Sequence, residues 1–325
     1  MKVFSFLPRI LFSLVFVASL VIAQEQKPPS SGEVDAAKKV QMAQGIQAKI
    51  KQSEEFMKKN SKSSLRIRVA DYMAKEIGDV TDPSQRLGYI ETYSKIFSDE
   101  KEKELVLPYQ VDSLALIGKV EEAFKLAPKA LALAPDNPLL LTQLALRGSN
   151  LVRQGKAELA ADTKQYASQA IALIEADKKP ANVNDQFWGE FKPRWLPELY
   201  QALGFVAFNA GDAADAQAKF QKAVELNPLN PNGYLMLASL ADANYQRAAM
   251  EYNTASGAAK DAALKKAYGY LDEVIDNYAR VIGVTASKAE YKQIHDQVLP
   301  ALQETYKIRK GSTDGLDALI AKYKK

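Results

Sequence analysis

The chain has 325 residues, 47% of them hydrophobic and 25% charged, with a formal net charge of +4. That is ample material for a large core, and too balanced a charge for wholesale disorder, nucleic-acid binding or adhesion to an anionic membrane. Cysteine is absent, which excludes disulfides, thiolate metal sites, thiol nucleophiles and a lipid-modified cysteine.

Lys2 and Arg9 lead an uncharged apolar run, Ile10–Ala23, with Val21 and Ala23 placed as the small residues before a cut ahead of Gln24. This pattern predicts a cleaved secretory signal over 1–23. The alternative is an uncleaved N-terminal anchor, although the run falls short of the roughly 20 residues a span needs. No later run approaches that length, so the expected mature chain is periplasmic or extracellular, has no membrane span and is not a lipoprotein. Residues 24–33, with Pro28 and Pro29 together, read as a flexible leader.

Helical spacing begins next, and N-terminal helices are expected over 34–103. Val40, Ile46 and Ile50 make a narrow apolar stripe on one helix with Gly45 inside it. Leu65, Ile67, Val69, Met73 and Ile77 predict a second. Asp82 and Pro83 supply a cap and a first helical residue for a third, whose face is Leu87, Ile90, Tyr93 and Ile96. No stretch of the mature chain sustains a period of two, so the expected fold class is all-α.

Beyond residue 103 the sequence repeats itself. Aligning the stretch from Ala123 with that from Ala216 brings Lys129 onto Lys222, Ala130 onto Ala223, Leu133 onto Leu226 and Pro135 onto Pro228. Asn137-Pro138 then meets Asn230-Pro231, Leu144-Ala145 meets Leu237-Ala238, and upstream Gly118 meets Gly211. In the second copy, small residues at Gly204 and Ala216 allow two antiparallel helices to approach, with Leu203 and Phe220 filling the space between them. Gly211 ends the first helix, Asp212 caps the second, and Pro228 stops it.

Tyr200, Leu203, Gly204, Ala207, Ala216, Phe220, Ala223 and Pro228 together resemble the tetratricopeptide (TPR) repeat, W-x2-L-G-x2-Y … A-x3-F … P. Tyr200 stands for the tryptophan and Ala207 for the tyrosine. The best unit is 197–230, within a degenerate array over 104–285 that is interrupted after Met250 by EYNTASGAAKDAALKK (a stretch starting at Glu251). The resemblance implies a solenoid of helical hairpins. Residues 286–325 break the pattern; a turn at Gly311–Asp314 and a short helix with Leu316, Leu319, Ile320 and Tyr323 suit a terminal cap.

Chemistry has little foothold. His295, the only histidine, stands beside Asp296 without a serine or cysteine elbow. Metal-ligand spacing is missing, Gly311–Gly315 lacks a phosphate loop's lysine, and no cofactor is expected. Glu54-Glu55 and Glu121-Glu122 read as solvated helix surface.

The resemblance implies binding of a peptide or protein in a concave groove lined by the first helix of each unit. The residues that would face it are Glu198, Gln201, Phe205, Phe208 and Asn209, with Asn150 equivalent to Asn209; Phe205 and Phe208 could instead pack on the preceding helix. Pro108, Asp112, Thr142 and Leu146 stand where chaperone-binding members carry basic clamp residues, so that specialisation is not expected. A second surface is conceivable in the segment between repeats, where Phe187, Trp188, Phe191 and Trp195 crowd beside Lys192 and Arg194. They either form a platform for a glycan or polymer or plug the joint between repeats. The sequence thus points to a non-enzymatic envelope or extracellular scaffold, with glycan binding and an unrecognised enzyme as alternatives.

Overall fold

The computed structural model describes residues 28–181 and 183–324. The expected signal and the start of the expected leader lie outside the described residues. Among those residues are fifteen α-helices, two single 3₁₀ turns and no strand, the all-α fold that the spacing predicts. No described helix is long and apolar enough to cross a membrane.

The chain forms two compact units, the first ending at Arg147 and the second starting at Gly148. In the first unit, α1 (Ser31–Met42) begins inside the expected leader. There Ser30 Oγ accepts from Glu33 N while the Glu33 carboxylate accepts from Ser30 N at 2.7 Å, a reciprocal cap. The single helix expected across Gly45 is two helices, because Gly45 has φ +78° and breaks the ladder before α2 (Ile46–Lys59). Next come α3 (Arg66–Gly78), α4 (Pro83–Ile96), α5 (Glu100–Glu104), α6 (Leu107–Leu116) and α7 (Val120–Leu133). The cap expected for α4 is present: Asp82 Oδ1 accepts from Gln85 N at 2.7 Å.

The core of this unit is Val40, Phe56, Met73, Ile77, Ile90, Tyr93, Phe97 and Val106. Tyr93 is buried, yet its hydroxyl donates to the Glu102 carbonyl at 2.7 Å, so no polar atom is stranded. Arg66 forks onto both oxygens of Glu102 at 2.9 and 2.8 Å. Asp112, at a clamp-comparable position, is already engaged by Arg86 at 2.6 Å.

α8 (Pro138–Arg153) runs through the boundary. The second unit continues with α9 (Ala160–Glu175), α10 (Asp185–Asn209), α11 (Ala213–Leu226), α12 (Pro231–Thr254), α13 (Gly257–Thr285), α14 (Lys292–Lys310) and α15 (Leu316–Ala321). Two expectations are corrected here. The segment between repeats is not a joint but the first half of α10, which starts where Asn184 Oδ1 accepts from Phe187 N and carries Pro193 and Pro197 inside it. The stretch expected to interrupt the array lengthens it instead: α12 and α13 form one long hairpin, zipped at its far end by buried Ala248, Ala263 and Ala267.

Three turns share one geometry. Gly118, Gly155 and Gly211 have φ of +87°, +97° and +78°. After each, the next amide reaches back into the preceding helix: Lys119 to Leu114 O at 2.9 Å, Lys156 to Leu151 O at 3.0 Å, and Asp212 to Ala207 O at 3.0 Å. These are Schellman closures, which need a left-handed residue and satisfy the last carbonyls. They join α6 to α7 and α10 to α11 as antiparallel hairpins, and they end α8 ahead of the turn into α9.

The close approach foreseen at Gly204 is also present. A Cβ added there would sit 2.6 Å from the Phe220 ring. A second close approach, at Gly233, lets α12 lie against Val224 of α11. The core built on these contacts runs through Phe220, Leu237, Ala279, Ile282 and Leu302 to Leu316 and Ile320 of α15.

Candidate functional site

The residues expected to line a groove on α10 separate into two sets. Phe205 is 8% exposed. Its ring meets Phe220 edge-on at 5.2 Å, and the Arg153 guanidinium covers it at 4.1 Å. Phe205 is therefore packed, against the following helix α11 and not on the preceding one. Gln201 is buried against the start of α12, close to Gly233. Glu198 is half-buried and accepts from Asn230 Nδ2 at 2.9 Å. Burial pushes its carboxyl above the usual glutamate range, with the Asn230 bond and Arg194 opposing.

Phe208, 39% exposed, and Asn209 and Asn150 face solvent. Asn209 Nδ2 donates to the Phe205 carbonyl at 2.9 Å, which leaves its second N–H and its side-chain oxygen unengaged. What these residues offer is an apolar ring, two amides and the Arg153 cation between α8 and α10.

The aromatic cluster of α10 is mostly interior. Trp188 is 4% exposed and Phe191 is also buried; their rings stack at 5.5 Å. Trp188 Nε1 donates to Asp177 Oδ1 at 2.8 Å, and Lys192 reaches the same oxygen at 2.7 Å. Asp177 has φ +55°, the only positive value outside glycine among the described residues. Its side chain therefore ties the turn after α9 to the first half of α10. Trp195 and Phe187 are half-buried, with Arg194 stacked 4.6 Å over the Trp195 ring. A glycan platform would need its tryptophan faces free, and here Trp188 is used for packing.

A further depression in the second unit lies elsewhere. A cleft of ≈ 440 Å³ opens where α11, α12 and α13 converge. Val224, Tyr234, Leu237, Leu240 and Ala241 form its floor, and Gln217, Gln221, Asn244 and Asn277 supply amides around it. Glu225 on α11 and Glu273 on α13 stand exposed at its mouth. The one cation lining it, Arg280, is held by Asp276 at 2.9 Å and lies between the rings of Tyr234 (5.6 Å) and Tyr323 (4.4 Å). Asp276 also accepts from the Tyr323 hydroxyl. Sequence reasoning overlooked this site because its parts lie on three helices. No clear signal was readable, since Lys222 stands three residues before Glu225, at a spacing where a helical ion pair forms.

His295 lies near Asp296, Nδ1 to Oδ1 3.6 Å, and Asp296 is engaged by Lys292. Among the described residues no group of three or more acidic or histidine side chains converges as a metal site would require.

No protein-family model matches the chain, and no curated protein matches its sequence. A solved structure titled "Functional Characterization of Pseudomonas Aeruginosa pilF" aligns over 90% of this chain and 100% of its own, at 15% identity and a TM-score of 0.35. So low a TM-score carries no argument about fold or function; the helical-hairpin architecture rests on the turns and close approaches described above.

Chemically, the α8–α10 face can accept and donate to a peptide backbone and cover an apolar side chain. The α11–α13 cleft can enclose an apolar group and attract a cation.

Proposed function

We propose that the chain is a non-enzymatic protein-binding scaffold of the cell envelope or exterior, and that it recognises a protein or peptide through the α8–α10 face. The observation that carries this reading is the exposure of Phe208 and Asn209 at the end of α10, with exposed Asn150 and Arg153 on α8, whose guanidinium covers the Phe205 ring. Rigid hairpins present such groups with little reordering on binding. The signal-like residues 1–23 support export.

Site-specific photo-crosslinking in the native host tests the reading. The reactive residue goes at Phe208 rather than at the packed Phe205, with Lys222 on the far side of α11 as control. A discrete adduct at Phe208 and none at Lys222 is the expected result, and mass spectrometry of the adduct identifies the partner. An adduct at Trp195 alone would transfer the function to the remaining half-exposed aromatics of α10 and favour the glycan or polymer alternative. Adducts at neither site would remove the proposed surface.

A further inference from the structure

The cleft between α11 and α13 goes beyond the face proposed above. We infer that it is a second docking site, and that its occupant is a basic segment of a partner protein carrying an aliphatic side chain next to a lysine or arginine. It encloses ≈ 440 Å³ beneath a mainly polar rim, and Val224, Leu237, Leu240 and Ala241, each nearly buried, leave a small apolar patch at its base.

The mouth determines the sign of the charge. Glu225 and Glu273 are exposed and carry no ion pair, while Arg280 is neutralised by Asp276. Lys219, the basic residue of α11 with a carboxylate close by, is drawn to Asp215 at 3.6 Å instead. The depression is therefore a local negative site on a chain whose formal charge is +4.

An acidic occupant would confront both glutamates without compensation. A wholly apolar one would desolvate them and return nothing. A basic segment with one aliphatic residue fills the floor and neutralises the mouth together, and electrostatic complementarity of this kind sets partner choice and encounter rate. The amides of Gln217 and Asn277 at the rim suit its backbone.

The test is fluorescence anisotropy on the full chain with three labelled pentapeptides: Gly-Lys-Leu-Lys-Gly, Gly-Glu-Leu-Glu-Gly and Gly-Lys-Ser-Lys-Gly. The first is expected to bind at least about tenfold more tightly than either of the others, and added salt to weaken it. The Glu225→Gln/Glu273→Gln double variant, altered only at exposed positions, should lose about tenfold for the first peptide while keeping its thermal unfolding midpoint. Gln217→Arg, which places a competing cation at the rim, should weaken it as well. Equal binding of the acidic peptide, or unchanged affinity in the double variant, overturns the proposal. So does sedimentation showing a self-associated protein that the double variant dissociates, since the occupant would then be a second copy. The crosslinking at Phe208 is independent of all these outcomes.

Discussion

Glu198 shows how a single residue can be caught between packing and charge. It is held by Asn230 across the α10–α12 approach, and burial raises its carboxyl pKa despite that bond and Arg194. A carboxyl whose pKa is raised in the folded state holds its proton to higher pH than in the unfolded chain. Its contribution to stability is therefore fully present below the ordinary glutamate range and lost as pH rises through the raised value. Glu198→Gln removes that loss and keeps an acceptor for Asn230. The variant should denature at a higher urea concentration than the parent at neutral pH, and at a similar one in acid, where both side chains are uncharged. Trp188 and Trp195, the only tryptophans, both lie in the second unit, so their fluorescence follows this transition. A variant less stable than the parent at neutral pH would mean that the charged bond to Asn230 outweighs burial.

At the scale of elements, the α10–α11 hairpin depends on how close its helices come. The missing Cβ of Gly204 is what leaves room for the fully buried Phe220 ring. Gly204→Ala should cost about 1–3 kcal/mol in urea unfolding, by forcing that ring off its rotamer. Combining it with Phe220→Leu should give less than the sum of the two losses, because the two residues share one contact. This much was legible in the sequence: the spacing of Gly204, Gly211, Ala216 and Phe220 predicted a closely packed hairpin and its turn. Two other elements were not. Gly45 looks the same in a sequence whether it continues a helix or turns left-handed, and only its φ of +78° decides. Pro193 and Pro197 look like breakers, since each forfeits its amide bond and crowds the carbonyl four residues back, yet the helix runs through both. Burial of Trp188, Phe191 and Leu199 on the same helix offsets the loss.

For the molecule as a whole, each of the two units carries its own core, and the boundary at Arg147–Gly148 falls inside α8 with no proline-rich or polar linker to reveal it. The α11–α13 cleft was hidden for a related reason, since its walls are brought together from Gln217 to Arg280 by folding alone. The terminal cap, by contrast, was readable from Leu316 and Ile320, both of which are buried in the core of the second unit. Gly283 admits the Tyr323 backbone where a Cβ would stand 2.6 Å from it. Truncation after Asp314 removes two buried aliphatic side chains worth about 1.5–3 kcal/mol each. Hydrogen exchange should then show lost protection along Val281–Thr285 and α14, with protection around Phe56, Tyr93 and Phe97 retained. Loss of protection in both units would mean that their stabilities are linked.

The position of α15 also sets a timetable for synthesis. The buried side chains of the first core run from Val40 to Val106 with Tyr109 packed against them, whereas the second draws on residues from Phe205 to Ile320. As the chain grows from its N-terminus, the first unit can fold early. The second remains with an open apolar flank until Leu316 to Tyr323 emerge. Over that interval the part of α13 around Gly283, which takes the Tyr323 backbone, lacks the cover that α15 gives it, a window in which exposed apolar surface favours aggregation.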